Sequence, residues 1–180
     1  MKRFLLNVWE IAEVVIIALV TVFFIRAFLV QPFLVSGASM EPTFQNSNYL
    51  LIDEITYRFR APQRGEVVVF RFPQDLNSFF IKRIIGLPGE TITVQNNQII
   101  VTTSDKTTTL TESYLAPETK TIGEKTITLG ADEYFVLGDN RGNSFDSRNW
   151  GPLPKQDVIG LVRLRIFPFS EFSTFAVPAY

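Results

Sequence analysis

The sequence predicts a mostly β protein in which one apolar helix precedes a β-rich domain. Three observations support this fold class. Residues 1–30 are the most apolar part of the chain. After Pro42, short runs rich in β-branched and aromatic residues alternate with Gly, Pro and Asn, a pattern typical of strands and turns. No helical period longer than a few turns follows the N-terminal segment, and 180 residues leave room for one modest domain plus a tail.

The N-terminal segment is long enough for a membrane span only if charged residues lie at its ends. Its uncharged centre, residues 14–25, has 12 residues, whereas a spanning helix needs about 20. If Glu13 lies near one interface and Arg26 snorkels to the other, residues 5–29 supply enough length. Trp9 then lies where an interfacial aromatic residue is expected. The pattern predicts a single transmembrane helix.

A cleavable secretion signal is the alternative interpretation of this segment. Lys2 and Arg3 would form its charged start, and residues 36–38, Ser-Gly-Ala, resemble a small-x-small cleavage site. The apolar stretch is longer than a usual signal and contains three charges, which favours an uncleaved anchor. We therefore expect residues 1–30 to form a cytoplasmic tip and transmembrane anchor. Because basic residues favour the cytoplasmic side, residues 31–180 are expected to form an extracytoplasmic domain at the plasma membrane.

The body of the chain contains seven predicted strands. Their sequences are "NYLLIDEIT", "GEVVVFRF", "FFIKRIIG", "ETITV", "QIIVT", "EYFVLGD" and "VIGLVRLRIF". Residues 95–97, Gln-Asn-Asn, are predicted to form a tight hairpin turn because Asn tolerates positive φ, and residues 86–90 another turn. We expect a strongly coiled antiparallel sheet or a partly open barrel. The polar, Thr-rich residues 102–130 are predicted to form a small inserted β lobe without a catalytic part.

Composition restricts the chemistry that this chain can perform. The absence of Cys excludes disulfides, thiolate catalysis and cysteine metal sites. The absence of His removes the commonest general base, every Ser-His-Asp arrangement and the usual zinc ligand. The net charge is −1 and the basic residues are scattered, so no nucleic-acid partner is expected. Catalysis would have to use Ser, Thr, Lys, Tyr or carboxylate groups, and we expect neither a metal nor a cofactor.

Three separate stretches carry polar residues that could form one site. Lys82 lies in a predicted strand and is flanked on its own face by apolar side chains, although an edge lysine that limits aggregation has the same pattern. Residues 136–154 run from a strand into a loop dense in Asp, Asn, Ser and Arg, as a solvated turn also would. Ser39 lies between Gly37 and Pro42 in a stretch that could present a hydroxyl and backbone N–H groups together. An ordinary loop serine is the simpler explanation there.

The order of these stretches, "SGASMEPTF", then "IKRIIGLPGE", then "GDNRGNSFDSR", resembles the bacterial type I signal peptidases, also called leader peptidases. These are membrane-anchored serine proteases with a Ser/Lys dyad. The resemblance covers nearly the whole chain, from the anchor to "VIGLVRLRIFP". It implies a membrane-bound serine endopeptidase that removes signal peptides from secreted preproteins, cutting through an acyl-enzyme where small residues occupy positions −1 and −3.

The resemblance also implies a role for individual residues. Ser39 matches the nucleophile, Lys82 the general base, and Ser144 a serine that orients the lysine amine. It implies further support from an Asp139–Arg83 pair, an Asp146–Arg148 pair, Met40 packed beside the site, and Gly37.

Gly37 marks a departure from part of the family. Gram-negative members often carry Ser two places before the nucleophile, where it contributes to the oxyanion hole, and here Ser36 is one residue out of register. Only the backbone N–H of Ser39 is therefore carried over as an oxyanion donor.

The implied partners are secretory preproteins and the lipid bilayer, with the translocation machinery as a further candidate. The aromatic tail, residues 167–180, would either rest on lipid or pack on the sheet. Self-cleaving Ser/Lys repressors would require a DNA-binding N-terminal domain, and penicillin-binding-type enzymes would require Ser-x-x-Lys, which does not occur here. The endoplasmic-reticulum enzymes use His. An inactive or non-enzymatic membrane-tethered β domain of the same family remains the alternative.

Overall fold

The structure is a computed structural model that describes residues 2–28, 30–175 and 177–178. For residues 2–8, 23–28 and 30 it describes only the secondary structure. Its longest element is the N-terminal helix. Helix α1 spans Lys2–Phe28. Within the described residues, no helix combines the length and the apolarity of a membrane span. The predicted transmembrane helix is therefore not confirmed.

Short antiparallel strands form nearly all of the remaining regular structure. They are β1 (Val30–Leu34), β2 (Tyr49–Asp53), β3 (Val67–Phe72), β4 (Asp75–Gly86), β5 (Thr91–Gln95), β6 (Gln98–Thr102), β7 (Thr107–Thr109), β8 (Lys125–Thr128), β9 (Glu133–Leu137), β10 (Leu153–Pro154), β11 (Val158–Phe167) and β12 (Ser173–Thr174). Two short α-helices, α2 (Thr56–Phe59) and α3 (Ser147–Trp150), interrupt them. All seven predicted strands are present, which confirms the mostly β class.

The strands form two antiparallel sheets. The larger sheet has the order β1-β2-β11-β3-β4-β9-β10, with β12 paired to β11. Among the described strands this order has two ends, so the sheet is open. Register shifts in β11, between Val162 and Leu164 and again between Arg165 and Phe167, mark bulges where it pairs with β2. Bulges bend a strand and increase its twist, which agrees with the predicted coiling.

The smaller sheet has the order β7-β6-β5-β8. Asn96 and Asn97 have φ of 51° and 60° in the turn between β5 and β6, so the predicted hairpin is confirmed. Thr hydroxyls face each other across neighbouring strands on the exposed side, as in the Thr91–Thr128 pair at 2.9 Å. The opposite face is apolar and buried, as at Ile92. Such cross-strand pairs stabilise a sheet, which explains how a Thr-rich segment supplies strands.

The core consists of three clusters of buried apolar side chains. The first is Val35, Met40, Phe44, Leu50, Ile52, Val67, Val69 and Val162; the second is Ile85, Ile92, Val94, Ile99, Val101, Leu129, Phe135 and Leu137; the third is Val68, Phe70, Ile84, Tyr134, Val136 and Leu153. Strand β4 reaches all three clusters through Ile81, Ile85 and Ile84 respectively. It is therefore held from both faces, and it carries Lys82 and Arg83 in fixed positions.

Candidate active site

The predicted nucleophile and the predicted base are in direct contact. Ser39 follows β1 in an irregular loop, whereas Lys82 lies in β4, 43 residues further along the chain. Lys82 Nζ lies 2.7 Å from Ser39 Oγ and donates a second hydrogen bond of 2.8 Å to the Ile81 carbonyl. The lysine is only 4% exposed. A buried amine at this distance is placed to remove the hydroxyl proton once it is neutral.

The loop around Ser39 is fixed by its neighbours in the sequence. Met40 and Phe44 are buried in the first core cluster, and Phe44 N–H donates to the Met40 carbonyl. Gly37 has a φ of +96°, a conformation that L side chains rarely adopt, and its N–H donates to Asn46 Oδ1 at 2.9 Å. Met40 therefore anchors the loop in the core, its packing beside the site stays a prediction, and Gly37 supplies the bend that precedes Ser39.

Burial changes the ionisation of the lysine. It lowers the pKa of Lys82 from 10.5 to about 8, and the negative charges of Asp146 and Asp139 oppose this shift. The centre of the Phe80 ring lies 5.4 Å from the amine, so the ring excludes water from one side while its face attracts the charged form. Removing a cationic group from water disfavours its charged form. At about pH 8 a large fraction of Lys82 is therefore neutral, as a general base must be.

A buried ion pair lies next to the dyad in β4. Arg83 Nε and Nη2 donate to the two carboxylate oxygens of Asp139 at 2.9 and 2.6 Å. Arg83 Nη1 donates to the Gly65 carbonyl, and Thr43 Oγ1 donates to Asp139 Oδ2 at 2.6 Å. The predicted Arg83–Asp139 pair is thus present in a bidentate geometry, the strong form of such a contact. Sequence reasoning did not identify Thr43 as a site residue, although it lies within the motif "SGASMEPTF".

Asn140 joins the 138–146 loop to Ser39. Its N–H donates to the Ser39 carbonyl and its side-chain amide donates to the Ala38 carbonyl, both at 3.0 Å. Gly138 permits this close approach, because a Cβ there would lie 2.4 Å from the Ser39 carbonyl oxygen and 2.2 Å from Ser144 Oγ. Asn140 was not among the predicted site residues, although it lies within the motif "GDNRGNSFDSR".

Asp146 closes the same loop. Its carboxylate accepts from Arg148 Nε and Nη2, both at 2.9 Å, so the predicted pair is present. It also caps α3 through the Arg148 N–H and accepts from the Gly138 N–H at 3.2 Å. Because one carboxylate ties the end of the loop to its beginning, the loop is held as a rigid unit.

Ser144 is the predicted residue that the structure does not connect to the dyad. Its hydroxyl oxygen is buried and has no hydrogen-bond partner within the described part of the chain. The lysine-orienting role of Ser144 therefore stays a prediction.

The segment between β7 and β8, residues 110–124, contacts the 138–146 loop, and we call it the arm. Arg141 of the loop pairs with Glu112 of the arm and donates to Thr121 Oγ1 at 2.6 Å. Arg148 Nη1 donates to the Ile122 carbonyl at 2.9 Å. No local sequence pattern predicts these contacts, because they join a polar segment to a loop that is distant in the sequence.

An open groove of about 540 Å³ leads to Ser39 and Lys82. Its walls are residues 33–39 on one side and residues 78–82 on the other, with Leu50, Val69, Asn143 and Phe145 completing the lining. Both walls include strand residues, 33–34 of β1 and 78–82 of β4, a kind of groove that can accept an extended peptide. Across the described residues, no group of three or more His, Cys, Asp or Glu side chains could hold a metal ion.

Known proteins are similar to this chain in amino-acid sequence. The family described as signal peptidase, peptidase S26, matches residues 8–167. The chain belongs to this family. The family and the class of enzyme predicted from the sequence, a protease of the signal peptidase type, are thereby confirmed.

Individual relatives match over most of their own length. A probable signal peptidase I-2 of Synechocystis sp. is 38% identical over 170 residues, which cover 90% of this chain and 75% of the relative. The signal peptidase I of Leptolyngbya laminosa is 35% identical over 163 residues, covering 86% and 77%. The signal peptidase I P of Bacillus subtilis subsp. natto is 35% identical over 180 residues, covering 94% and 95%.

The buried Arg83–Asp139 pair predicts a large effect on stability. Asp139→Ala leaves the arginine charge buried without its partner, and we expect the free energy of unfolding to fall by about 3–5 kcal/mol. Asp132→Ala is the matched control, because Asp132 and Lys155 are exposed and 3.6 Å apart; it should cost less than about 1 kcal/mol. Urea unfolding of both variants measures the difference. Similar losses of unfolding free energy in the two variants would contradict the expected large contribution of the buried pair.

The lowered pKa of Lys82 predicts a pH-dependent term in stability. Below about pH 8 the folded protein must hold a buried ammonium ion, whereas the unfolded chain keeps it in water. Between about pH 8 and the ordinary value of 10.5 the folded state binds fewer protons, so stability rises with pH. Relative to Lys82→Met, the parent should gain roughly 3 kcal/mol across this window. Parallel stability curves for the two proteins would refute the depressed pKa.

Proposed function

We propose that the chain removes N-terminal signal peptides from secreted preproteins with Ser39 as the nucleophile and Lys82 as the general base. The observation that carries the proposal is the 2.7 Å contact between Ser39 Oγ and the buried Lys82 amine, at the end of an open groove. No His in the chain can serve as an alternative base. Membership of the signal peptidase family agrees with this assignment.

In the proposed reaction, neutral Lys82 takes the Ser39 proton as the oxygen attacks the scissile carbonyl. The Ser39 N–H donates no hydrogen bond within the described residues, so it is available to the developing oxyanion. The lysine then gives its proton to the leaving amine, and the substrate's acyl group remains on Ser39. Neutral Lys82 next takes a proton from water as the water oxygen attacks the ester carbonyl. The bond between the acyl carbon and Ser39 Oγ then breaks, Lys82 returns its proton to Ser39 Oγ, and the acid is released. Ser144 is proposed to orient the amine during these steps.

The depressed pKa makes the lysine a usable base. With an unperturbed pKa, only about one molecule in 250 would carry a neutral lysine at about pH 8. With a pKa of about 8, neutral and charged forms are comparable at that pH. Burial therefore raises the fraction of competent enzyme by about two orders of magnitude.

The groove supports a preference for small residues at positions −1 and −3. In an extended peptide, side chains two residues apart point to the same side. Those two side chains would face one wall together, close to the backbone of residues 36–39. We propose that small side chains at these positions allow the scissile bond to approach the Ser39 hydroxyl.

Membrane attachment is the second part of the proposal. We propose that residues 1–30 form a cytoplasmic tip and single anchor, that residues 31–180 form the extracytoplasmic domain at the plasma membrane, and that residues 102–130 are its inserted lobe. In support, α1 has 27 residues, which span about 40 Å at 1.5 Å per residue. Its described side chains, such as Ile11 and Val14, are mostly aliphatic and exposed. Tethering enzyme and signal peptide to one bilayer raises their effective concentration.

The aromatic C-terminal segment is the proposed second contact with lipid. Phe169 and Phe172 are 81% and 61% exposed, and Phe167 is 45% exposed. Exposed aromatic rings that cluster on one surface are typical of interfaces with membranes or proteins. We propose that these rings rest on the bilayer, and we retain the translocation machinery as a candidate partner.

Cleavage of a preprotein with an Ala-x-Ala site tests the proposed dyad. In detergent with added lipid, we expect the parent to cut after this site and Ser39→Ala and Lys82→Ala to be inactive. Because only the neutral lysine is competent, kcat/KM should rise with pH through about 8. Folding of both variants is checked by thermal melting. Near-parental turnover by Lys82→Ala, or no cleavage by the folded parent at any pH from about 6 to 10, would refute the assignment.

Fluorescence quenching tests the proposed lipid contact. Tryptophan is introduced as Phe169→Trp in the full chain, which is reconstituted in vesicles that contain brominated lipids. We expect the added fluorescence to be quenched, because the ring would lie among the acyl chains. Ile122→Trp is the matched control, since Ile122 is 66% exposed but lies in the arm. Equal quenching at the two positions, or none at Phe169→Trp, would contradict the contact.

A further inference from the structure

Arg141 is the side chain that links the arm to the active-site loop. It is fully buried, and all five of its N–H groups have an acceptor. Nε donates to the Gly138 carbonyl at 3.0 Å. Nη1 donates to Glu112 Oε2 and Thr121 Oγ1, both at 2.6 Å. Nη2 donates to Glu112 Oε1 and, at 3.1 Å, to the Tyr114 hydroxyl. Four of the five acceptors therefore belong to the arm.

Tyr114 connects this cluster to the second buried arginine of the site. Its hydroxyl donates to Glu112 Oε1 at 2.5 Å. The centre of its ring lies 4.0 Å from the guanidinium carbon of Arg83, a distance at which a cation is attracted to an aromatic face. Arg83 in turn holds Asp139 by two hydrogen bonds. Tyr114 of the arm thus contacts both Arg141 and Arg83.

The two arginines act on either side of Asn140. Asp139 is held by Arg83, and Arg141 is held by the arm, so both neighbours of Asn140 are fixed. Asn140 itself donates to the carbonyls of Ser39 and Ala38. The arm and the nucleophile are therefore joined through one short stretch, residues 139–141. Loosening of the arm would be transmitted to Ser39 through these contacts.

We propose that Glu112 and Tyr114 are positioning residues for the reaction of Ser39. They hold Arg141 and Arg83, these hold residues 139–141, and that stretch fixes the backbone of Ser39 against the Lys82 amine. This inference rests on the proposed roles of Ser39 and Lys82. It gives the inserted lobe a part in catalysis that its polar, Thr-rich sequence does not suggest.

If Glu112 and Tyr114 position Ser39, their substitution should change the rate of the chemical step. If they only stabilise the fold, it should not. A small displacement of the nucleophile lowers kcat, because a misplacement of about 1 Å can cost about a hundredfold, while peptide binding in the groove is retained. Glu112→Gln also leaves the Arg141 charge without its carboxylate partner. An uncompensated positive charge in the active-site loop disfavours the charged form of Lys82, so the acid limb of the pH profile of this variant should move to lower pH.

The experiment compares arm variants of the full chain, in detergent with added lipid, on the Ala-x-Ala preprotein. The variants are Glu112→Gln, Tyr114→Leu and Tyr114→Phe, with the parent and Ser39→Ala. Glu118→Gln is the matched control, because Glu118 is an exposed carboxylate of the same arm. Each variant is assayed well below its own melting temperature. We expect Glu112→Gln and Tyr114→Leu to lose about tenfold to a hundredfold in kcat with little change in KM, and Glu118→Gln to match the parent.

Tyr114→Phe distinguishes the hydrogen bonds of the Tyr114 hydroxyl from the contact of its ring with Arg83. It keeps the ring beside Arg83 and removes only the hydroxyl, so it should lose less kcat than Tyr114→Leu but more than Glu118→Gln. If Glu112→Gln and Tyr114→Leu do not fold, the kcat of Tyr114→Phe decides the question. Parental kcat and pH profile in folded arm variants, with only a lower melting temperature, would overturn the inference alone. An inactive parent would overturn the proposed function and, with it, this inference.

Discussion

The burial of one amine is the constraint on which the rest of the structure depends. A lysine can act as a base near neutral pH only where water cannot solvate its charged form, and that requires a rigid, apolar position such as that of Lys82. Strand β4 meets this requirement because alternate side chains enter different core clusters on its two faces. The packing of Ile84 and Ile85 therefore determines the chemistry of Lys82, although neither touches a reacting atom. Fold stability and the pKa of the base are consequences of the same contacts.

Buried carboxylates beside such a base create an electrostatic conflict. Asp139 and Asp146 both raise the pKa of Lys82, yet they are needed to hold the 138–146 loop against Ser39. The conflict is reduced because each carboxylate has its own arginine, Arg83 or Arg148, in a close pair. A paired carboxylate presents little net charge to a third group. The loop can therefore be rigid and polar while burial remains the dominant influence on the lysine.

The sequence predicted what local patterns determine and missed what tertiary contacts determine. Strands such as β3 and β11 were predictable from β-branched and aromatic runs between turn residues, and the Asn96-Asn97 turn from the φ that Asn tolerates. Ser39 and Lys82 followed from a resemblance, since no periodicity places two residues 43 positions apart in contact. Asn140, Thr43 and the arm were missed because each acts through a partner distant in the sequence. The anchor and the role of Ser144 stay predictions.

The position of Ser39 results from three segments that meet only in the folded protein. Its own loop is anchored by Met40 and Phe44 in the core, Asn140 holds its carbonyl from the opposite side, and Lys82 reaches its hydroxyl from β4. Asn140 lies beside Ser39 because β9, the strand that leads into its loop, pairs with β4. A hydroxyl held in this way does not need to reorganise before attack. A fixed site lowers the activation free energy by avoiding that reorganisation. The same convergence explains why a residue as distant as Glu112 can matter to the reaction, because any support of the loop is also a support of Ser39.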